Sequence, residues 1–208
     1  MIRPLESCVL PADHAHEVVF AAGSEHVVGA EFGTGTVGVV MAHEFMADLC
    51  NWVPYAEHLR SLGYRTLAFD FQQSLVSEVE SAARQLRRDG AHAVVLMGAS
   101  MGATASLAAA TTIAPQVAGV ASLSGPSMYG GIDALSASKQ LTIPVLYMDS
   151  ESDDGFTQDA HAMYAACPSA RKQLAILPGD DHGTQLLRFT VETQAYAALD
   201  RWLAGVAP

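Results

Sequence analysis

Short apolar, β-branched runs alternate with longer stretches of helical periodicity along nearly the whole chain. That alternation constrains the fold more than any other feature. Runs at residues 17–20, 26–31, 37–42, 65–71, 93–97, 117–123, 143–149 and 172–177 have the length and residue types of strands. From 37–42 onward almost every residue in them is apolar, as in parallel strands covered on both faces. The first two runs lie close together and predict an antiparallel lead-in. Helical spacing occupies 51–62, 75–88, 101–113, 157–166 and 185–203. In 51–62, Trp52, Tyr55, Leu59 and Leu62 share one face, and Gly63 stands where a helix would stop. In 75–88, Val76, Val79, Ala83 and Leu86 recur at the helical period. Parallel strands joined through helices require right-handed crossovers. The expectation is an α/β fold, a single domain over 1–208 with its core at about 17–203. Its sheet is mostly parallel and eight-stranded, with helices on both faces.

Composition narrows the function. The net charge is −11 with only 11 Lys and Arg, so the surface repels polyanions and nucleic acid is excluded as a partner. No run approaches the ~18 consecutive apolar residues of a membrane span. The segment up to Glu17 carries Arg3, Glu6, Asp13, His14 and His16 and has no apolar stretch like that of a secretion signal. The expected setting is cytoplasmic. Cys8, Cys50 and Cys167 are odd in number, widely spaced and lack a CxxC pair, which predicts neither a disulfide framework nor a zinc site. His14 and His16 have no third ligand nearby in sequence, so no metal is expected.

Catalysis in open α/β sheets gathers at the carboxyl ends of the strands. After 93–97 the chain reads Gly98-Ala99-Ser100-Met101-Gly102. A serine on a sharp strand-to-helix turn needs neighbours without Cβ atoms, which Gly98 and Gly102 supply. The helix that follows turns N–H groups and its positive dipole end toward Ser100. After the last strand comes Pro178-Gly179-Asp180-Asp181-His182-Gly183, and a serine hydroxyl becomes a useful nucleophile only when an imidazole such as His182 takes its proton. The acid that orients that imidazole belongs after 143–149, in Ser150-Glu151-Ser152-Asp153-Asp154-Gly155. Asp153 is the first choice and Asp154 the alternative; Asp149 and Glu151 rank behind them. Order along the chain is Ser, Asp, His.

These motifs together resemble the α/β-hydrolase superfamily: HxF after one strand, FDF after the next, GxSxG, PVL followed by an aspartate, and a final DHG. The likeness runs from about Glu17 to Leu203 and is greatest to small lidless serine esterases of the dienelactone-hydrolase-like type. It implies hydrolysis of carboxylic esters or thioesters through an acyl-enzyme, with no cofactor and a small-molecule substrate. Carried over residue by residue, it makes Ser100 the nucleophile, Asp153 the acid and His182 the base. It also assigns the backbone N–H groups of Met101 and Phe45 to the oxyanion hole. Two places depart from the pattern. The usual His-Gly pair is His43-Glu44, and the turn after Phe69-Asp70-Phe71 is the short Gln72-Gln73-Ser74. Glu44 is read as a structural residue or a contact for a substrate amine.

Residues 124–142 have room for a loop and one short helix, so no cap domain is expected. The expected pocket wall includes Glu44, Met46, Met128 and Tyr129, with Phe45 and Met101 beside them; methionine adapts to acyl groups of varied shape. Other reactions compatible with this constellation are acyl transfer, perhydrolysis, C–C cleavage and cyclisation. A non-catalytic ligand-binding protein that keeps the three residues is a further alternative. The sequence is compatible with a homodimer.

Overall fold

A computed structural model describes residues 7–10 and 14–206. Arg3, Glu6 and Asp13 of the N-terminal reading lie outside the described residues. One sheet of eight strands carries the architecture, in the order β1-β2-β4-β3-β5-β6-β9-β10. Its members are β1 (Ala15–Ala22), β2 (Glu25–Phe32), β3 (Val37–Ala42), β4 (Arg65–Phe69), β5 (Ala93–Ala99), β6 (Gly119–Leu123), β9 (Val145–Ser150) and β10 (Lys172–Leu177). Between β6 and β9 two short strands, β7 (Met128–Tyr129) and β8 (Ile132–Asp133), form a separate hairpin. β2 runs antiparallel to both β1 and β4, and every other pairing in the large sheet is parallel. The fold expectation therefore holds, including the antiparallel lead-in.

Alternation along the strands decides which helix covers which face. Val40 and Ala42 of β3, Val94 and Leu96 of β5, and Val145 and Tyr147 of β9 face one core. That core is closed by α2 (Leu75–Arg88), α3 (Met101–Ala109), α4 (Ala134–Ser138) and α5 (Phe156–Ala166). Val39 and Met41, Val95 and Met97, and Leu146 and Met148 face the other. There Trp52 and Tyr55 of the first helical segment and Trp202 of the last are sealed from solvent. Each fully buried aliphatic side chain contributes about 1.5–3 kcal/mol, so two cores sharing one sheet explain why half the chain is apolar.

Three features depart furthest from the sequence reading. The helix expected at 51–62 is a 3-10 turn, Leu49–Trp52, followed by α1 (Val53–Ser61), because Pro54 suits a helix's first turn and the Asp48 carboxylate caps the turn at Cys50 N. The helix expected at 185–203 is broken into a 3-10 turn, Gly183–Leu187, and α6 (Glu192–Val206). Leu186, Leu187 and Val191 are all buried, and the kink around Arg188 lets both pieces reach the core. The third concerns the cysteines. Cys8 and Cys50 form a disulfide across 42 residues of sequence, with Cα atoms 5.7 Å apart, which overturns the expectation of no bridge. Neither spacing nor count signals a pair that only the folded chain brings together. Among the described residues, no helix is long and apolar enough to cross a membrane.

Candidate active site

The sheet reverses its winding between β3 and β5, since the chain moves from β3 to β4 on one side and returns to place β5 on the other. Ser100 stands at the carboxyl end of β5, at that switch point, as the residue before α3. Its φ of 47° and ψ of −114° lie where a non-glycine residue is strained by about 1–3 kcal/mol. The surroundings hold it there. Ser100 N donates to Leu123 O at 2.8 Å, and Ser100 O accepts from Ala103 N and Thr104 N at 2.9 and 3.1 Å. The two flanking glycines are required by close approach. A Cβ on Gly98 would lie 2.3 Å from Gly102 O, and one on Gly102 would lie 2.3 Å from Ala42 O.

His182 and Asp153 arrive from loops that follow the last two strands of the sheet. His182 Nδ1 lies 2.7 Å from Asp153 Oδ2, so the ring donates through Nδ1–H and leaves Nε2 free to accept. Asp153 is buried, whereas Asp154 and Glu151 are exposed. Burial alone would raise the Asp153 pKa, but hydrogen bonds from His182 and Asp149 bring it below the ordinary carboxylate range. For His182 burial works downward, and the Asp153 hydrogen bond and charge, helped by Asp149 and Glu44, leave it above an ordinary imidazole. A cavity of about 430 Å³ brings Ser100 and His182 together with Glu44, Phe45, Pro126, Met128, Tyr129 and Phe156. Phe156 packs on the imidazole with ring centroids 4.4 Å apart.

Opposite the serine lies the loop after β3. His43 Nδ1–H donates to Glu44 O at 2.7 Å, and its Nε2 accepts from Phe71 N at 3.1 Å. Asp70 Oδ1 accepts from Leu49 N at 2.8 Å. Glu44 Oε1 accepts from Asn51 Nδ2 at 3.1 Å and from the Thr184 hydroxyl, which ties this loop to the turn just after His182. Glu44 is thus a structural tie that also lines the cavity. Among the described residues, the N–H groups of Phe45 and Met101 have no acceptor in the protein. The short turn after β4 is explained by Glu78 of α2, whose buried carboxylate accepts from Gln72, Gln73 and Ser74 N at 2.8, 2.9 and 2.7 Å.

Of the expected pocket residues, Glu44, Phe45, Met128 and Tyr129 line the cavity and Met46 does not. Met46 sits at φ 62° with its side chain 91% exposed, because the left-handed turn that bends the loop back directs it to solvent. Met101 is buried and is likewise outside the wall. Pro126 and Phe156 also line it, outside the sequence expectation, and both follow strands that end at this side of the sheet, where ligands collect. Residues 124–142 hold the β7–β8 hairpin and α4 and no cap domain.

Solved structures share this backbone course. A dienelactone hydrolase from Anabaena variabilis superposes with a TM-score of 0.80 at 21% identity, covering 93% of this chain and 99% of that one. An esterase from Pyrococcus furiosus gives 0.81 at 13% identity, covering 100% and 97%. A thermophilic esterase from Thermogutta terrifontis gives 0.72 at 16%, covering 93% and 99%. No family model and no curated protein matches the sequence.

Proposed function

From the α/β-hydrolase fold that this chain has, we propose that it hydrolyses carboxylic esters or thioesters of small molecules through an acyl-enzyme on Ser100. One observation carries the reading: a serine in a strained turn at a helix start shares a cavity with a histidine whose far nitrogen is bound to a buried aspartate. His182 Nε2 removes the Ser100 proton as Oγ attacks the carbonyl, and Asp153 stabilises the imidazolium that forms. The N–H groups of Met101 and Phe45 receive the oxyanion, each donor contributing about 3 kcal/mol to the transition state. His182 returns its proton to the leaving group, and a water activated by the same nitrogen releases the acid. Pro126, Met128, Tyr129 and Phe156 offer the substrate an apolar wall.

The cavity opens to solvent without a cap domain, so water reaches the acyl-enzyme freely, which favours hydrolysis over acyl transfer. The solved neighbours, esterases and a dienelactone hydrolase, agree with that preference. The test is Ser100→Ala with p-nitrophenyl esters and a fluorophosphonate probe. Turnover falls by about 10³-fold or more and labelling disappears; a purified mutant that still turns over at the native rate removes Ser100 from the mechanism.

The bridge between Cys8 and Cys50 supports an oxidising compartment over the expected cytoplasm, because glutathione and thioredoxin keep cytoplasmic thiols reduced. Cys167 is buried and unpaired. Protein whose thiols are blocked as its own cells are opened should carry a label on Cys167 alone after denaturation. Labels on Cys8 and Cys50 would return it to the cytoplasm.

A further inference from the structure

Asp149 is the last residue but one of β9, the strand that leads to Asp153, and the mechanism above gives it no task. Its side chain is wholly sealed from solvent. Oδ1 accepts from the Ser124 hydroxyl at 3.0 Å and from Ser150 N at 2.9 Å. Oδ2 is also buried and receives no donor among the described residues. Four residues on, the carboxyl of Asp153 acts on this one through both hydrogen bonding and charge. Two carboxylates cannot satisfy each other, since both only accept. A proton between them can, and a buried pair of like charges without one is unfavourable.

We propose that Asp149 is a positioning residue: it stays a neutral carboxylic acid that donates its proton to Asp153 and so holds that carboxylate toward His182 Nδ1. The proposal rests on the reading of Ser100, His182 and Asp153 given above. The charged groups that act on or with Asp149 are Asp153 from the loop after β9 and His182 from the loop after β10, while Ser124, just past β6, presents a neutral hydroxyl. Burial first, and then the hydrogen bond and charge of Asp153, push Asp149 up to about 8. Below that pH the acid is a donor. Above it, a second negative charge faces Asp153, removes the donated bond and holds the proton more tightly on His182.

The native enzyme should therefore lose kcat/KM as pH rises through about 8. Asp149→Asn keeps an N–H donor in the same volume and cannot ionise, so its alkaline fall should vanish while kcat at neutral pH drops by about threefold. Asp149→Val keeps neither donor nor charge. Its kcat should fall by about tenfold or more at every pH, with KM within about twofold of native. An Asn variant whose alkaline fall stays at the native pH overturns the proposal, as does a Val variant equal to the Asn variant. If Asp149→Val does not fold, the Asn profile alone decides. Fluorophosphonate labelling separates the two levels. No adduct on Ser100 in the native protein defeats the triad reading itself, whereas a normal adduct with an unmoved alkaline fall defeats only the role of Asp149.

Discussion

The two loops that face each other across the cavity are built in opposite ways. The turn at Ser100 is set by its immediate neighbours: Gly98 packs on Gly102, Gly102 packs on Ala42, and the backbone bonds of Ser100 reach only the adjoining strand and the helix it starts. The loop after β3 is set from a distance. Phe71, Asp70, Thr184 and Cys8 each hold one part of it, from positions 21 to 140 residues away in the sequence. Steric necessity shapes the first loop and polar and covalent ties shape the second. The same strain, a non-glycine residue at positive φ, occurs in both, at Ser100 and at Met46. At Ser100 it lifts a hydroxyl into the cavity, whereas at Met46 it only bends the chain.

The sharpest way to break this contrast is to add one methyl group to the turn. In Gly102→Ala the new Cβ would lie 2.3 Å from Ala42 O, 2.6 Å from Ala42 C and 2.7 Å from His43 O. All three atoms are backbone, and Ala42 is paired with Gly98 in the sheet. No side chain can rotate away, so β3 or α3 must move. The expected cost is about 3 kcal/mol or more, at the upper end of overpacking effects, and the shift should carry the Met101 N–H away from the oxyanion. Urea unfolding measures the first and ester turnover the second. A loss below about 1 kcal/mol with native turnover would mean that the turn is not sterically fixed.

The same contrast explains what was legible beforehand. Strands and most helices were readable because burial on two faces imposes apolar runs and helical periodicity directly on the residues. Val37–Ala42, Leu75–Arg88 and Lys172–Leu177 match residue for residue. Ser100 was readable because its glycines are adjacent in sequence, and His182 because it sits alone in a glycine-flanked loop after the last strand. The Cys8–Cys50 bridge, the Glu44–Thr184 tie and the bond from the Ser124 hydroxyl to Asp149 depend on residues that meet only after the sheet forms. Asp149 ranks behind Asp153 as the acid that orients His182, and in the structure His182 Nδ1 bonds Asp153 while the sealed Asp149 carboxyl accepts from the Ser124 hydroxyl and Ser150 N. The sequence puts Met46 in the pocket wall because a methionine beside Phe45 has the composition of one, and only φ reveals which way it points.

Met46 supplies the gentler test, at the loop held from a distance. Met46 pays the left-handed penalty of a residue with a Cβ, about 1–2 kcal/mol, and it is 91% exposed and lies outside the wall of the Ser100 cavity. Glycine removes the penalty and gives back part of it as greater freedom in the unfolded chain. Met46→Gly should therefore stabilise the protein by about 0.5–1 kcal/mol, a rise of roughly 1–4 °C in Tm for a chain of this size. Turnover of p-nitrophenyl esters should change by less than about twofold, since the ties at His43, Glu44 and Leu49 remain to hold the Phe45 N–H in place. A destabilised variant would show that the Met46 side chain packs against something in solution. A stable variant with a tenfold loss of turnover would show that the distant ties do not fix the loop by themselves, and that the Cβ of Met46 helps to aim the Phe45 N–H.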